Sequence, residues 1–291
     1  MKHLLLLSLV LRPPLGLDLY MPVPDSNPLT PHKIALGRKL FLDKRLSRDE
    51  TLSCASCHDP KLAFSDGRKV ALGINGQEGT RSAPAIVNRG YGRTFFWDGR
   101  AKSLEQQALE PILNPKELGM TLPEVEKRTG LKIAEVAAAL ASYVRTIRSG
   151  DSRFDRYAAG DQRVFNDSER AGLAIFRGKA RCSLCHLGPN FTDENFHNTG
   201  VAFREGTLLD VGAGEGKFKV PTLREVARTA PYMHDGSLAT LEEVVEFYDR
   251  GGNENPNLDP DLHPLHLSPG EKQSLVTFLR TLSGTVVEGK P

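Results

Sequence analysis

Cys54-Ala55-Ser56-Cys57-His58 and Cys182-Ser183-Leu184-Cys185-His186 decide how this chain is read. Each holds two thiols three residues apart and an imidazole directly after the second. That is the pattern of covalent c-type haem attachment: the thiols add to the haem vinyl groups and the next histidine is held under the iron. Cys54, Cys57, Cys182 and Cys185 are therefore read as attachment residues, and His58 and His186 as proximal iron ligands. The chain has four cysteines, all inside these motifs, so none remains for a structural disulfide. A zinc site built from two C-x-x-C pairs is the rival. The long separation of the pairs and the histidine after each favour haem.

Working outward, the two halves repeat. Pro84, Phe96-Trp97-Asp98-Gly99 and Ser103-Leu104-Glu105 match Pro221, Met233-His234-Asp235-Gly236 and Thr240-Leu241-Glu242, always 137 residues apart. A domain-sized period means a duplicated domain and not a solenoid. Thr30-Pro31 reads as a helix cap followed by proline at the first helical position. A second helix is expected near Ser168, and apolar residues at helical spacing run from Ile133 to Arg148. Ser103-x-x-Gln106, Thr240-x-x-Glu243 and Ser268-x-x-Glu271 are capping boxes. Alternating strand patterns are scarce. The expected fold is all-α, two tandem cytochrome c-like domains with long loops and one c-type haem in each. The expected bounds are 1–20 for a signal peptide or disordered start, 21–160 for the first domain and 161–291 for the second.

Of the 291 residues, 25% are charged and 39% hydrophobic, a globular composition, and the formal net charge is +2. Near-neutrality gives no reason to expect nucleic acid or an anionic membrane as partner. Leu4 to Leu11 is an apolar run resembling a short signal peptide, too brief to span a bilayer. With the haem motifs it places the protein in the periplasm.

The sixth position of each iron decides between electron transfer and catalysis. On the helix opened by Thr240, Leu241, Val244, Val245 and Tyr248 share one face. The first half offers Leu104, Gln107, Ala108 and Pro111 at the same positions. Proline cannot ligate iron, so the duplication predicts Tyr248 over the second haem and an open site over the first. The alternative for Tyr248 is a core tyrosine with an ordinary hydrogen-bond partner, and His197 is a rival ligand.

From about Pro28 to Gly284 the chain resembles the bacterial di-haem cytochrome c peroxidases and their relative MauG. The stretches that carry this are Leu36-Gly37-Arg38, both haem motifs, Phe96-Trp97-Asp98-Gly99-Arg100, Val220-Pro221-Thr222-Leu223-Arg224 and Thr229 to Gly236. The resemblance implies that Trp97, the only tryptophan, lies between the haems and couples them. It also implies that Gln107 and Glu117 are the distal acid–base pair over the open haem. His234, the repeat equivalent of Trp97, is expected to support the haem pocket by hydrogen bonding and not to bind iron. Ile74 stands where many relatives place a capping histidine, and Tyr248 where they place methionine, as in MauG. Calcium between the haems would use Thr229, Pro231 and, in place of the usual asparagine, Ser82. Serine is the poorer ligand, which leaves calcium open. Ala180 stands where MauG has the surface tryptophan through which it oxidises its partner.

Together these imply a di-haem peroxidase reducing hydrogen peroxide at the open haem, with electrons from a small cytochrome c or cupredoxin relayed through the Tyr-ligated haem. The alternative is MauG-like oxidation of a protein substrate's side chain through a high-valent di-haem state. A non-catalytic electron-transfer cytochrome ranks third. Relatives often form homodimers, an expectation that rests on the resemblance alone.

Overall fold

The computed structural model describes residues 13–289. The described residues form nine α-helices and six short strands. The all-α expectation is met in the main and corrected in detail. The strands make three two-stranded antiparallel pieces: β1 (Arg148–Gly150) with β6 (Thr285–Val287), β2 (Phe196–His197) with β5 (Phe218–Lys219), and β3 (Phe203–Arg204) with β4 (Thr207–Leu208). Runs of two or three residues show no alternation for a sequence reading to find.

Buried apolar side chains fall into two clusters. The first is built on α1 (Pro31–Phe41) crossing α5 (Ile133–Arg145), the second on α7 (Asp167–Arg177) crossing α9 (Pro269–Arg280). Both crossings are closed by a glycine. A Cβ on Gly37 would collide with the Ala139 carbonyl, and one on Gly172 with the Ser274 carbonyl. Fully burying each Leu, Ile or Phe in such a core contributes about 1.5–3 kcal/mol. Leu140, Val136, Phe41 and Tyr143 fill the first cluster, and Phe176, Phe278 and Leu275 the second.

The helix expected from Ile133 to Arg148 ends at Arg145, and Arg148 opens β1. Thr30 caps α1 with its side chain, and Pro31 follows at the first helical position. Helix α7 begins at Asp167, capped by Asn166. The short helix α6 (Arg153–Ala158) turns Phe154 and Tyr157 onto the second cluster, whereas Val286 of β6 packs on the first. Of the expected leader, Leu4 to Leu11 lies outside the described residues. Leu17 is buried, the Leu15 carbonyl accepts from the Asp151 amide at 2.8 Å, and the Gly16 carbonyl accepts from Arg224 at 2.9 Å.

The 137-residue repeat is written into the backbone. Isolated antiparallel bridges join Phe95 to Ala101 and Tyr232 to Leu238. Phe96 and Met233 both take positive φ (65° and 72°), as do Gly99 and Gly236 (67° and 61°). The next helix in each half, α3 (Leu104–Leu113) and α8 (Leu241–Asp249), starts at an equivalent cap, Ser103 or Thr240. Buried Asn88 and Glu225, also equivalent, meet at Ser149 of β1: Asn88 exchanges two hydrogen bonds with its backbone, and the Ser149 hydroxyl donates to Glu225 at 2.6 Å.

Candidate haem-binding site

Each C-x-x-C-H motif is one tight turn. Helix α2 (Cys54–Cys57) puts the first pair of thiols a turn apart. The His58 amide donates to the Cys54 carbonyl at 2.9 Å, and the His186 amide to the Cys182 carbonyl at 2.9 Å. The imidazole of His58 is fixed by Nδ1 donating to the Phe64 carbonyl at 3.1 Å, and that of His186 by Nδ1 donating to the Phe191 carbonyl at 2.9 Å. Both phenylalanines are buried and in the left-handed region (φ 60° and 52°), which turns their carbonyls inward. A carbonyl only accepts, so Nδ1 carries the proton and Nε2 is left as the ligand atom. Burial pushes the pKa of both histidines down, which keeps them neutral as metal ligation requires. Burial also raises the Cys54 and Cys182 thiols to about 12 and the Cys57 thiol to about 11.

The residue types therefore fit two c-type haems. The zinc alternative does not assemble. Among the described residues the one group of metal-ligating atoms within 4.8 Å of each other is Cys185, Asp193 and His197, with a single cysteine.

Tyr248 projects from α8 toward the second motif. Its phenol pKa is raised, by burial first and then by Cys182 and Cys185. Its hydroxyl makes no hydrogen bond to another described residue, and the side chain is half-buried beside the second motif. In the first half Pro111 occupies the equivalent place inside α3. His197 is otherwise engaged: Nδ1 meets Asp259 at 2.6 Å and Nε2 meets Asp193 at 3.1 Å.

Near the first motif, Glu117 accepts from the Asn114 amide at 2.7 Å. Burial raises its pKa, and its charge is felt by the Cys57 thiol. Gln107 is partly buried on α3, and its side-chain amide makes no protein hydrogen bond among the described residues. The loop carrying Ile74 is clamped: the Ile74 amide donates to the Glu117 carbonyl at 2.9 Å, and its buried side chain packs over Gly119.

Trp97 lies where the halves meet. Its indole Nε1 donates to the Ser82 carbonyl at 2.9 Å. The Ser82 amide donates to the His234 carbonyl at 2.7 Å, and the Lys219 amide to the Trp97 carbonyl at 2.8 Å. His234 is held by stacking on Phe218, with ring centroids 3.6 Å apart, and burial brings its pKa down to about 4. Ser82 is drawn beside the loop of Thr229 and Pro231, but its amide and carbonyl are already committed. The carbonyls of Phe64 and Phe191, and Lys219, were missed in the sequence. The repeated Phe-Ser/Thr-Asp after each motif (Phe64 to Asp66, Phe191 to Asp193) was the signal for the first two.

Two matched histidine turns, one in each half of a duplicated chain, fit the class of di-haem peroxidases. Residues 31–132 match the family model described as di-haem cytochrome c peroxidase. The chain is similar to the methylamine utilization protein MauG of Methylorubrum extorquens, 40% identical over 288 residues that cover 90% of this chain and 81% of that protein. It is 35% identical over 326 residues to the cytochrome-c peroxidase IdrP1 of Pseudomonas sp. strain SCT, covering 94% of this chain and 86% of the relative. A crystal structure of a MauG-like protein associated with microbial copper homeostasis superposes with a TM-score of 0.85 at 32% identity, covering 94% of both chains. The chain belongs to the di-haem cytochrome c peroxidase and MauG family.

Proposed function

We propose that this protein is a periplasmic di-haem peroxidase that reduces hydrogen peroxide to water at an open first haem, with two electrons and two protons taken up per peroxide. One observation carries the reading. At repeat-equivalent positions the second half offers the unpartnered hydroxyl of Tyr248 and the first half offers Pro111. When bound, the two c-type haems, on Cys54 and Cys57 and on Cys182 and Cys185, supply the redox chemistry. His58 and His186, with Nδ1 tied to backbone carbonyls, would hold the irons through Nε2, and Tyr248 would be the protein ligand at the second site. Ile74, pinned to the Glu117 backbone, leaves the first site without a capping side chain. Gln107 would orient the peroxide by hydrogen bonding, and Glu117 would accept a proton from one peroxide oxygen and return it to the other. Trp97 couples the two sites across the joint between the halves.

The electrons come from a small cytochrome c or cupredoxin. Calcium would take the Thr229 and Pro231 carbonyls and the Ser82 hydroxyl, and its support is weak because serine is a poorer calcium ligand than the asparagine it replaces. A second reading, oxidation of a protein partner's side chain as in MauG, is favoured by Tyr248 in place of methionine. Ala180, buried at the position of MauG's surface tryptophan, argues that any such route leaves elsewhere.

The test is the ferric spectrum before and after one equivalent of hydrogen peroxide. A high-spin first haem that reacts, followed by rapid discharge with a reduced small cytochrome, is the expected result. Two low-spin haems inert to peroxide would defeat both enzyme readings. A long-lived oxidised product that small donors discharge slowly would favour protein oxidation.

A further inference from the structure

We infer that Lys219 is a positioning residue for Trp97, reaching from the second half to fix both ends of the turn that carries the tryptophan. The inference rests on the reading of Trp97 as the bridge between the haems. The Lys219 amide donates to the Trp97 carbonyl at 2.8 Å, and its ammonium donates to the Thr94 carbonyl at 2.6 Å. One residue thus holds positions 94 and 97 together. Its β-sheet partner across the register, Phe196, packs over Gly99, where a Cβ would collide with the ring. The β2–β5 sheet therefore covers the whole Thr94–Gly99 turn.

Lys219 is buried, 7% exposed, and among the described residues its ammonium has no ion-pair partner, so the Thr94 carbonyl and the Phe95 ring are what hold it. Arg89 also donates to the Thr94 carbonyl, at 2.8 Å, and is paired with Glu194 at 2.6 Å. Arg89 and Lys219 both stand over the Phe95 ring, 5.3 and 5.9 Å from its centre. The repeat shows what is special here. The position equivalent to Lys219 is Ser82, whose amide makes the matching bond to His234 but whose side chain is too short to cross. Among the described residues no first-half side chain donates to a carbonyl of the His234 turn, whereas Lys219 does so for the Trp97 turn.

The charge adds a second effect. Burial first, then Arg89, lowers the Lys219 pKa to about 7, opposed by Glu194 and Asp98. The ammonium is present on the acid side of neutrality and fades above it, loosening the bond to Thr94.

The experiment uses the full-length protein with both haems attached. Trp97 is the sole tryptophan, so its indole bands in ultraviolet resonance Raman report on this turn alone. Lys219→Met keeps the stem and removes the donor, and Lys219→Arg restores a cation. The methionine variant should shift the indole band and slow electron exchange between the haems by on the order of tenfold. The arginine variant should restore both. In the wild type the band should differ between about pH 6 and about pH 8.5, a difference lost in Lys219→Met. Identical indole bands in wild type and Lys219→Met at both pH values would overturn the inference. Trp97→Phe separates the two claims. If it leaves exchange unchanged, the bridging reading fails, and the Raman shift still decides the role of Lys219.

Discussion

The amide of Ser82 donates to the carbonyl of His234, and 137 residues later the same bond recurs in the opposite direction, from Lys219 to Trp97. The halves clasp each other through equivalent atoms. Trp97 and His234 are the two held residues, each fixed by the half that does not contain it.

The tyrosine assignment gives the plainest prediction. Tyr248→Phe keeps the ring, and with it the packing on Phe247. The spectrum of the second haem should change from six-coordinate to five- or water-coordinate, while the first haem keeps its own. An unchanged spectrum refutes the ligand role.

Glu117 predicts a pH dependence. Burial lifts its pKa above the usual carboxylate range and Asn114 pulls it back. Acting as a base toward peroxide, it should give a reaction rate that rises with pH through this elevated pKa. Asn114→Ala removes the bond that favours the anion, so the limb should move to higher pH. Glu117→Gln should abolish the limb and slow the reaction by about 10²–10⁴-fold. Stability has its own sign. A raised acid pKa means the folded state binds more protons, so this group's contribution is present at low pH and lost as pH rises through the folded value. Stopped-flow rates and melting curves across pH check both.

The glycine crossings predict stability losses of similar size in both halves. Gly37→Ala and Gly172→Ala each drive a methyl into a backbone carbonyl that cannot swing away. Overpacking of this kind costs about 1–3 kcal/mol, to be read from denaturant midpoints of the haem-loaded protein. A melting curve that does not move would mean the helices separate more easily than their packing suggests.

Arg224 and Asp155 form a pair with each side chain 1% exposed, at 2.6 Å. Arg224 also donates to the carbonyls of Pro189, just after His186, and Gly16. Arg224→Met strands a buried carboxylate and should cost about 3–5 kcal/mol. The Asp155→Asn, Arg224→Met double variant should recover part of that loss, and calorimetry of the three proteins measures the coupling.

Much of this was legible in the sequence because the duplication marks equivalent positions. The caps at Thr30, Ser103, Thr240 and Ser268 fall where their side chains required, and Tyr248 against Pro111 follows from counting along two copies. What escaped was set by contacts between distant segments. Phe154 and Tyr157 fall inside the expected first domain, 21–160, yet they pack on the second cluster, because Ser152 caps a new helix directly after β1. No periodicity reveals that Lys219 crosses to Thr94, since that bond depends on how the halves meet. The same holds for His197, whose two nitrogens meet Asp193 and Asp259, the latter from a segment 62 residues on.

The pairing of β1 with β6 has a consequence for how the protein is made. The strand that completes the first half's core arrives with Val286, near the end of the chain. A ribosome releasing the N-terminal half delivers a core with one edge still bare, and closing it requires a loop of well over a hundred residues. The first half's core is therefore closed by a strand of the second, and removing Thr285 to Val287 should lower the stability of the first half as well as of the second.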